Sequence, residues 1–140
     1  MLDARNVALV LEGGGMRNSY TAACIDQLLA HGVKFGWVGG VSAGASHTVN
    51  FLSGDRLRAR ESFITLPAHP TAGGMSSFMR GNGYFNSDFI YEQAALPNAS
   101  IPFDFETFFA DDTPFRSARC GPTRERRSPG VAVIRKTTRT

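Results

Sequence analysis

A chain of 140 residues holds one modest domain around one hydrophobic core, and its 42% apolar and 19% charged residues are an ordinary globular balance. The net charge of +3 joins two unlike parts: residues 1–115 carry 7 Lys+Arg against 11 Asp+Glu, whereas residues 116–140 carry 8 Lys+Arg and one acid, Glu125. No apolar run approaches the ~18 residues of a membrane span, and an early acid with only about five apolar residues after it does not read as a signal peptide. Cys24 and Cys120 are too few and too scattered for a disulfide framework or a metal site. Cys24 is expected as a small buried hydrophobe in a reducing, cytoplasmic setting.

The first element is Val7-Ala8-Leu9-Val10-Leu11, a continuous apolar run that ends at Gly13-Gly14-Gly15. It has the length of a strand buried on both faces, as in a parallel sheet. A helix is expected from Ser19 to His31, where Tyr20, Ala23, Cys24, Leu28 and His31 recur at helical spacing and Gly32 sits at the C-cap. Trp37-Val38-Gly39-Gly40-Val41 reads as a second strand with Ser42 at its end, and Ala43 to Leu52 as a second helix closed by Ser53-Gly54. Strand, helix, strand, helix is the signature of βαβ units on a parallel sheet. A third helix is expected near Asp55, with Arg56, Arg58, Arg60 and Glu61 largely solvated. The Pro-, Gly- and Ser-rich stretch 67–83 is expected to be irregular, and a short helix follows over 87–96, N-capped by Ser87 or Asp88. Phenylalanines 78, 85, 89, 103, 105, 108, 109 and 115 read first as core and loop packing; the sharper reading is an apolar rim for acyl chains.

Two strand-to-helix turns carry the chemistry. Gly40-Val41-Ser42-Ala43-Gly44 matches G-x-S-x-G, in which small neighbours let the backbone bend sharply and push the serine hydroxyl outward. The helix that follows aims its free N–H groups and dipole at charge developing on that serine's substrate. Glu12-Gly13-Gly14-Gly15-Met16-Arg17 is the second turn, with backbone N–H groups left uncovered for an oxyanion. A phosphate-binding loop is excluded because Met16-Arg17-Asn18, not Gly-Lys-Ser/Thr, follows the glycines. A dinucleotide turn is excluded by Asn18 at its last glycine and by the lack of an acid between Gly32 and Asp55. His47 lies on the serine's own helix but about 140° around it, so a Ser–His pair is not expected. His31 reads as a helix-end residue and His69 as part of a Pro-flanked loop.

Taken together, Leu9 to Arg17, Tyr20-Thr21-Ala22-Ala23 and Gly40 to Ala45 resemble the bacterial branch of the patatin-like phospholipases. The resemblance covers residues 7–115 and implies a three-layer, parallel-sheet α/β fold, incomplete at the C-terminus. It implies that Ser42 is the nucleophile, that Gly13, Gly14, Gly15 and Arg17 form the oxyanion turn, and that Gly40, Ala43 and Gly44 build the nucleophile elbow. Asn18 stands where the family usually has Gly, a mild departure because Asn tolerates similar backbone conformations. The implied activity is hydrolysis of lipid acyl esters without metal or organic cofactor, in the cytoplasm or peripherally at a membrane. No specific nucleic-acid partner is implied. An ordinary α/β-hydrolase with a histidine is disfavoured by the short interval of 27 residues from Gly15 to Ser42 and by the lack of a suitable later His.

The family's base is an aspartate of a later Asp-Gly or Asp-Ala pair. Asp55, Asp88, Asp104, Asp111 and Asp112 follow Ser42, none of them before Gly or Ala, so no catalytic aspartate is assigned. From Arg116 the chain becomes Arg-, Pro- and Ser-rich without periodicity, apart from a candidate strand at Val131-Ala132-Val133-Ile134. The expectation for 116–140 is a frameshifted or truncated reading frame; the alternative is a genuine basic, disordered tail. The rival function is accordingly an inactive fragment whose basic tail binds an anionic partner.

Overall fold

The computed structural model describes residues 2–69, 72–74, 79, 96, 98, 99, 101–122 and 129–134. In chain order these form β1 (Asp3–Leu11), a single 3-10 turn (Gly15–Arg17), α1 (Asn18–Ala30), β2 (Lys34–Val41) and α2 (Ala43–Leu52). Then follow α3 (Arg56–Glu61), α4 (Thr65–Ala68), α5 (Phe105–Ala110), β3 (Phe115–Pro122) and β4 (Pro129–Ile134). The chain is an α/β fold in which β1, β2 and β3 are parallel neighbours alternating with helices, and β4 is added antiparallel to β3. Among the described residues no helix is long and apolar enough to cross a membrane.

Register assigns the two faces of the sheet. Leu9 pairs with Val38 and Val38 with Phe115, so these side chains share one face with Leu11. That face meets Ile25 of α1, Phe51 and Leu52 of α2, Ala59 of α3 and Phe108 of α5 to make the core. Ala8, Val10, Val41 and Ala118 point to the other face, where Val10 is 73% exposed. The Trp37 ring lies along this face over Gly39, where an added Cβ would fall within 3.0 Å of it. The strand expected to be buried on both faces is therefore buried on one. β1 is the edge of the sheet, and the helices packed on it lie against the Leu11 side.

Helix α1 begins and ends one residue earlier than the pattern predicts, with His31 as its C-cap and Gly32 just beyond. Gly32 adopts φ 60, with the Gly32 N–H bonded to the Leu29 carbonyl and the Val33 N–H to that of Leu28. This is the double-bonded glycine cap that satisfies the last carbonyls of a helix. His31 Nδ1 adds a third contact, 2.8 Å from the Gln27 carbonyl. Its buried face differs from the predicted one: Asn18, Ala22 and Ile25 are buried, while Tyr20, Ala23 and Cys24 face solvent. The two stripes lie about 100° or more apart, and a helix with so many small residues offers no strong hydrophobic contrast between them. Burial is decided by α2 and α3, against which α1 packs.

Asp55 is the N-cap of α3, accepting the Arg58 N–H at 2.9 Å. Arg58 departs from the expected solvated face: its guanidinium is partly buried over the Phe103 ring, 5.1 Å from the centroid, and bonds Asn50 Oδ1 and the Ile101 carbonyl. The stem crosses the core edge and ties the segment before α5 to α3. Most of the irregular stretch 67–83 and the helix expected over 87–96 lie outside the described residues, although α4 extends into that stretch as far as Ala68.

The composition break at Arg116 does not end the fold. β3 begins at Phe115 and runs through the break to Pro122, and the predicted strand 131–134 lies in β4. Pairing with β2 at Val38–Val41 places Arg116 outward and Ser117 inward, so ladder bonds between main chains hold a strand whose side chains show no alternating hydrophobicity.

The α1 orientation makes a direct prediction: Ile25→Ala should lower unfolding free energy by about 3 kcal/mol, and Tyr20→Ala by less than about 0.5 kcal/mol. Urea unfolding of both variants checks it, and the opposite order would place Tyr20 in the core.

Candidate active site

Ser42 sits between β2 and α2, at the C-terminal ends of the parallel strands, and is exposed. It has φ 57 and ψ −122, making it the one non-glycine residue at positive φ among those described. An L-residue held there costs on the order of 1–3 kcal/mol and persists only where the surroundings over-determine it. The surroundings are visible. Its N–H donates to the Ala118 carbonyl of β3 at 2.9 Å, and its carbonyl accepts the Ala45 N–H of α2 at 2.9 Å. One residue is thus clamped by strand ladder on one side and by the first helical turn on the other.

The two glycines of the motif are sterically required. A Cβ on Gly40 would fall well inside 3.0 Å of the Gly44 carbonyl, and one on Gly44 inside 3.0 Å of the Leu11 and Glu12 carbonyls. These are backbone atoms, so nothing flexible can yield. The first turn of α2 is pressed onto the ends of both β1 and β2, and only residues without a side chain allow that approach.

The same approach brings the glycine turn to the serine. A Cβ on Gly13 would lie 3.2 Å from Ser42 Cβ and 3.9 Å from Ser42 Oγ. Gly14 and Gly15 have φ 151 and 54, and the Arg17 N–H bonds back to the Gly14 carbonyl at 3.2 Å. The Arg17 side chain folds over the turn, with guanidinium atoms 3.2–3.3 Å from where a Gly14 Cβ would stand. Ser42, Gly13, Gly14, Gly15, Arg17, Gly40, Ala43 and Gly44 are therefore brought into one neighbourhood. Among the described residues the N–H groups of Gly13, Gly15 and Ala43 donate no hydrogen bond. Free donors beside an exposed hydroxyl form a site suited to negative charge on a substrate oxygen.

Two residues that sequence reasoning left out of the site stand beneath it. The Asn18 amide, 2% exposed, lies between the Glu12 carbonyl and the Gly14 N–H, 3.2 Å from each. Only with its nitrogen toward the carbonyl and its oxygen toward the N–H are both groups satisfied, and the hydrogen-bond network assigns it that orientation. His47, fully buried, puts Nε2 3.0 Å from the Asn18 carbonyl, which can only accept, so Nε2 carries the proton. Its ring stacks on Phe63 with centroids 4.0 Å apart, and Nδ1 is buried with no partner among the described residues. Burial pushes the His47 pKa down to about 4. The signal for His47 was present in its position on the serine's helix, but its angle pointed away from Ser42. Asn18, 29 residues back, stood out only as a departure from the family's usual Gly, with nothing to pair it with His47.

Other residues lie elsewhere. Asp55 and Asp104 cap α3 and α5, the latter accepting from Thr107, and Asp111 meets Lys34 at the start of β2. These are at the N-terminal edge of the sheet, about 15 Å away along α2. No described aspartate downstream of Ser42 stands beside it; Asp88 is outside the described residues. The phenylalanines divide likewise. Phe103, Phe108 and Phe115 pack edge-on in the core, Phe105 and Phe109 are exposed, and all five gather at that same far edge rather than around Ser42. Phe78, Phe85 and Phe89 fall outside the described residues. Cys24 is a free, exposed thiol, not a buried one, because it lies on the outward side of α1. Among the described residues no His, Cys, Asp and Glu cluster could hold a metal ion.

Comparison of the chain with family models, with curated proteins and with solved structures finds no match in any of the three.

Two outcomes follow from this geometry. Ser42→Gly should be more stable than Ser42→Ala by about 1 kcal/mol, since glycine relieves the positive-φ strain net of its own entropy cost; urea midpoints of the two variants decide it. For His47 the folded pKa lies below the unfolded value of 6.5, so the unfolded state takes up the proton first. Stability is then undiminished above about pH 6.5 and falls as pH drops toward 4, by about 2–3 kcal/mol at pH 4.5. His47→Phe should remove that part of the acid sensitivity, measured as the difference in urea midpoint between pH 7 and pH 4.5.

Proposed function

We propose that this chain carries the nucleophilic site of a serine acyl hydrolase of the patatin-like type, acting on lipid acyl esters. The observation that supports it most is the strained, exposed Ser42 at the tip of a strand-to-helix turn, with the glycine turn lying against it. In this reading Ser42 Oγ attacks the ester carbonyl, and its proton passes to a base and then to the departing alcohol. The Ala43 N–H, the free N–H groups of the glycine turn and the Arg17 guanidinium hold the oxyanion. Water then attacks the acyl-serine and releases the fatty acid, regenerating Ser42. In the resemblance the base is an aspartate, and no described aspartate downstream of Ser42 stands beside it.

The finer fold reading belongs to the same proposal. In a three-layer patatin-like domain, helices cover both faces of the sheet, and the face bearing Ala8, Val10 and Val41 is apolar enough to take such a layer. Peripheral contact with a lipid surface and cytoplasmic residence also rest on this reading.

A fluorophosphonate probe tests it. The folded chain should be labelled on one serine at least ~10²-fold faster than the urea-unfolded chain, because preorganised oxyanion donors retain that much effect even where the base is missing. Intact-mass spectrometry should place the adduct on Ser42 and find none in Ser42→Ala. Equal labelling of folded and unfolded chain would sink the proposal.

A further inference from the structure

We infer that Asn18 and His47 are positioning residues that lock the glycine turn to the helix of Ser42, an inference that rests on the reading of this site as an acyl-hydrolase centre. The chain of contacts is continuous. Ser42 is the N-cap of α2, and His47 stands on the second turn of the same helix. His47 Nε2–H reaches out of α2 to the main-chain carbonyl of Asn18, the first residue of α1. The Asn18 amide turns back to clasp the glycine turn at both ends, through the Glu12 carbonyl and the Gly14 N–H. The turn cannot slide relative to α2 without breaking one of these bonds.

The clasp also sorts the donors. Gly14 spends its N–H on Asn18, so the groups left for an oxyanion are those of Gly13, Gly15 and Ala43. The two turns come from strands β1 and β2, and a shift of 1 Å between them would misplace one set of donors against a charge held by the other. A fixed link between the two turns is what such a two-part site requires.

Stability alone gives no reason for a histidine at position 47. Its hydrogen bond to Asn18 stabilises only modestly, whereas burying Nδ1 with no partner among the described residues costs at least as much. Phenylalanine would keep the stacking on Phe63 and leave no orphaned nitrogen. What it could not supply is the donor to Asn18. The residue present is the one that makes the link.

The test uses the full chain with His47→Phe, which removes the donor and keeps the ring, and His47→Gln, whose amide nitrogen reaches about as far as Nε2. His47→Phe should lose at least ten-fold in the rate of Ser42 labelling by a fluorophosphonate, with a urea midpoint at pH 7 no lower than that of the native chain. His47→Gln should recover the rate to within three-fold. Native-rate labelling of a folded His47→Phe, or a His47→Gln as slow as His47→Phe, overturns the inference. Amide deuterium exchange over residues 12–18 decides independently of any reactivity. His47→Phe should speed exchange at Gly14 and Arg17 at least ten-fold, and unchanged exchange also overturns the positioning role. If the native chain itself does not label, the nucleophile reading fails while the exchange result still judges the link between α2 and the turn.

Discussion

The first turn of α2 is pressed main chain to main chain against the ends of β1 and β2, and the rest of the site depends on that contact. Gly44 lies against the carbonyls of Leu11 and Glu12, and Gly40 against the carbonyl of Gly44. Because all these atoms belong to the main chain, the contact fixes backbone to backbone with no adaptable side chain between. The helix can begin this close to the sheet only if the connecting residue reverses direction in one step, which is what the positive φ of Ser42 accomplishes. Exposure of the hydroxyl and strain in its backbone are consequences of a single packing constraint.

Energy for holding that strain comes from either side of it. The parallel ladder delivers the Ala118 carbonyl to the Ser42 N–H, and Ser117 Oγ reaches the Ala45 carbonyl at 3.3 Å. β3 thus braces the elbow from the side opposite β1, although its residues open the arginine-rich part of the chain. Below, the core of Leu11, Ile25, Val38, Phe51 and Leu52 seats α2 on the sheet. The Ser42 turn is therefore supported by three strands and a helix.

Most of this was legible where the information is local. The strand ending at Leu11, the strand ending at Val41, both main helices and the glycine cap at Gly32 follow from short-range rules about run length, periodicity and backbone freedom. The glycine-rich turn and the G-x-S-x-G turn were equally visible, since each is contiguous. The failures share a cause. The buried stripe of α1 depended on where α2 and α3 lie; Arg58 left the solvated face because Phe103, far away in the chain, offered its ring. The outward face of β1 could not be read from an apolar run that looks the same in either environment. The strand through Arg116 was missed because its place is held by main-chain pairing, which leaves no periodic trace in the side chains.

The site divides along the same line. The sequence by itself determined which residues could form a sharp, donor-rich turn, because the absence of a Cβ at Gly13, Gly40 and Gly44 is a property of the residue and acts wherever the chain bends. Only the tertiary structure decided that the two turns meet, that Gly13 lies beside Ser42, and that Asn18 and His47 stand between α1 and α2 as a buried polar link. Those are contacts between residues some 30 positions apart, about the separation of His47 from Asn18. Their energy comes from distance and burial, and a linear order of residues records neither.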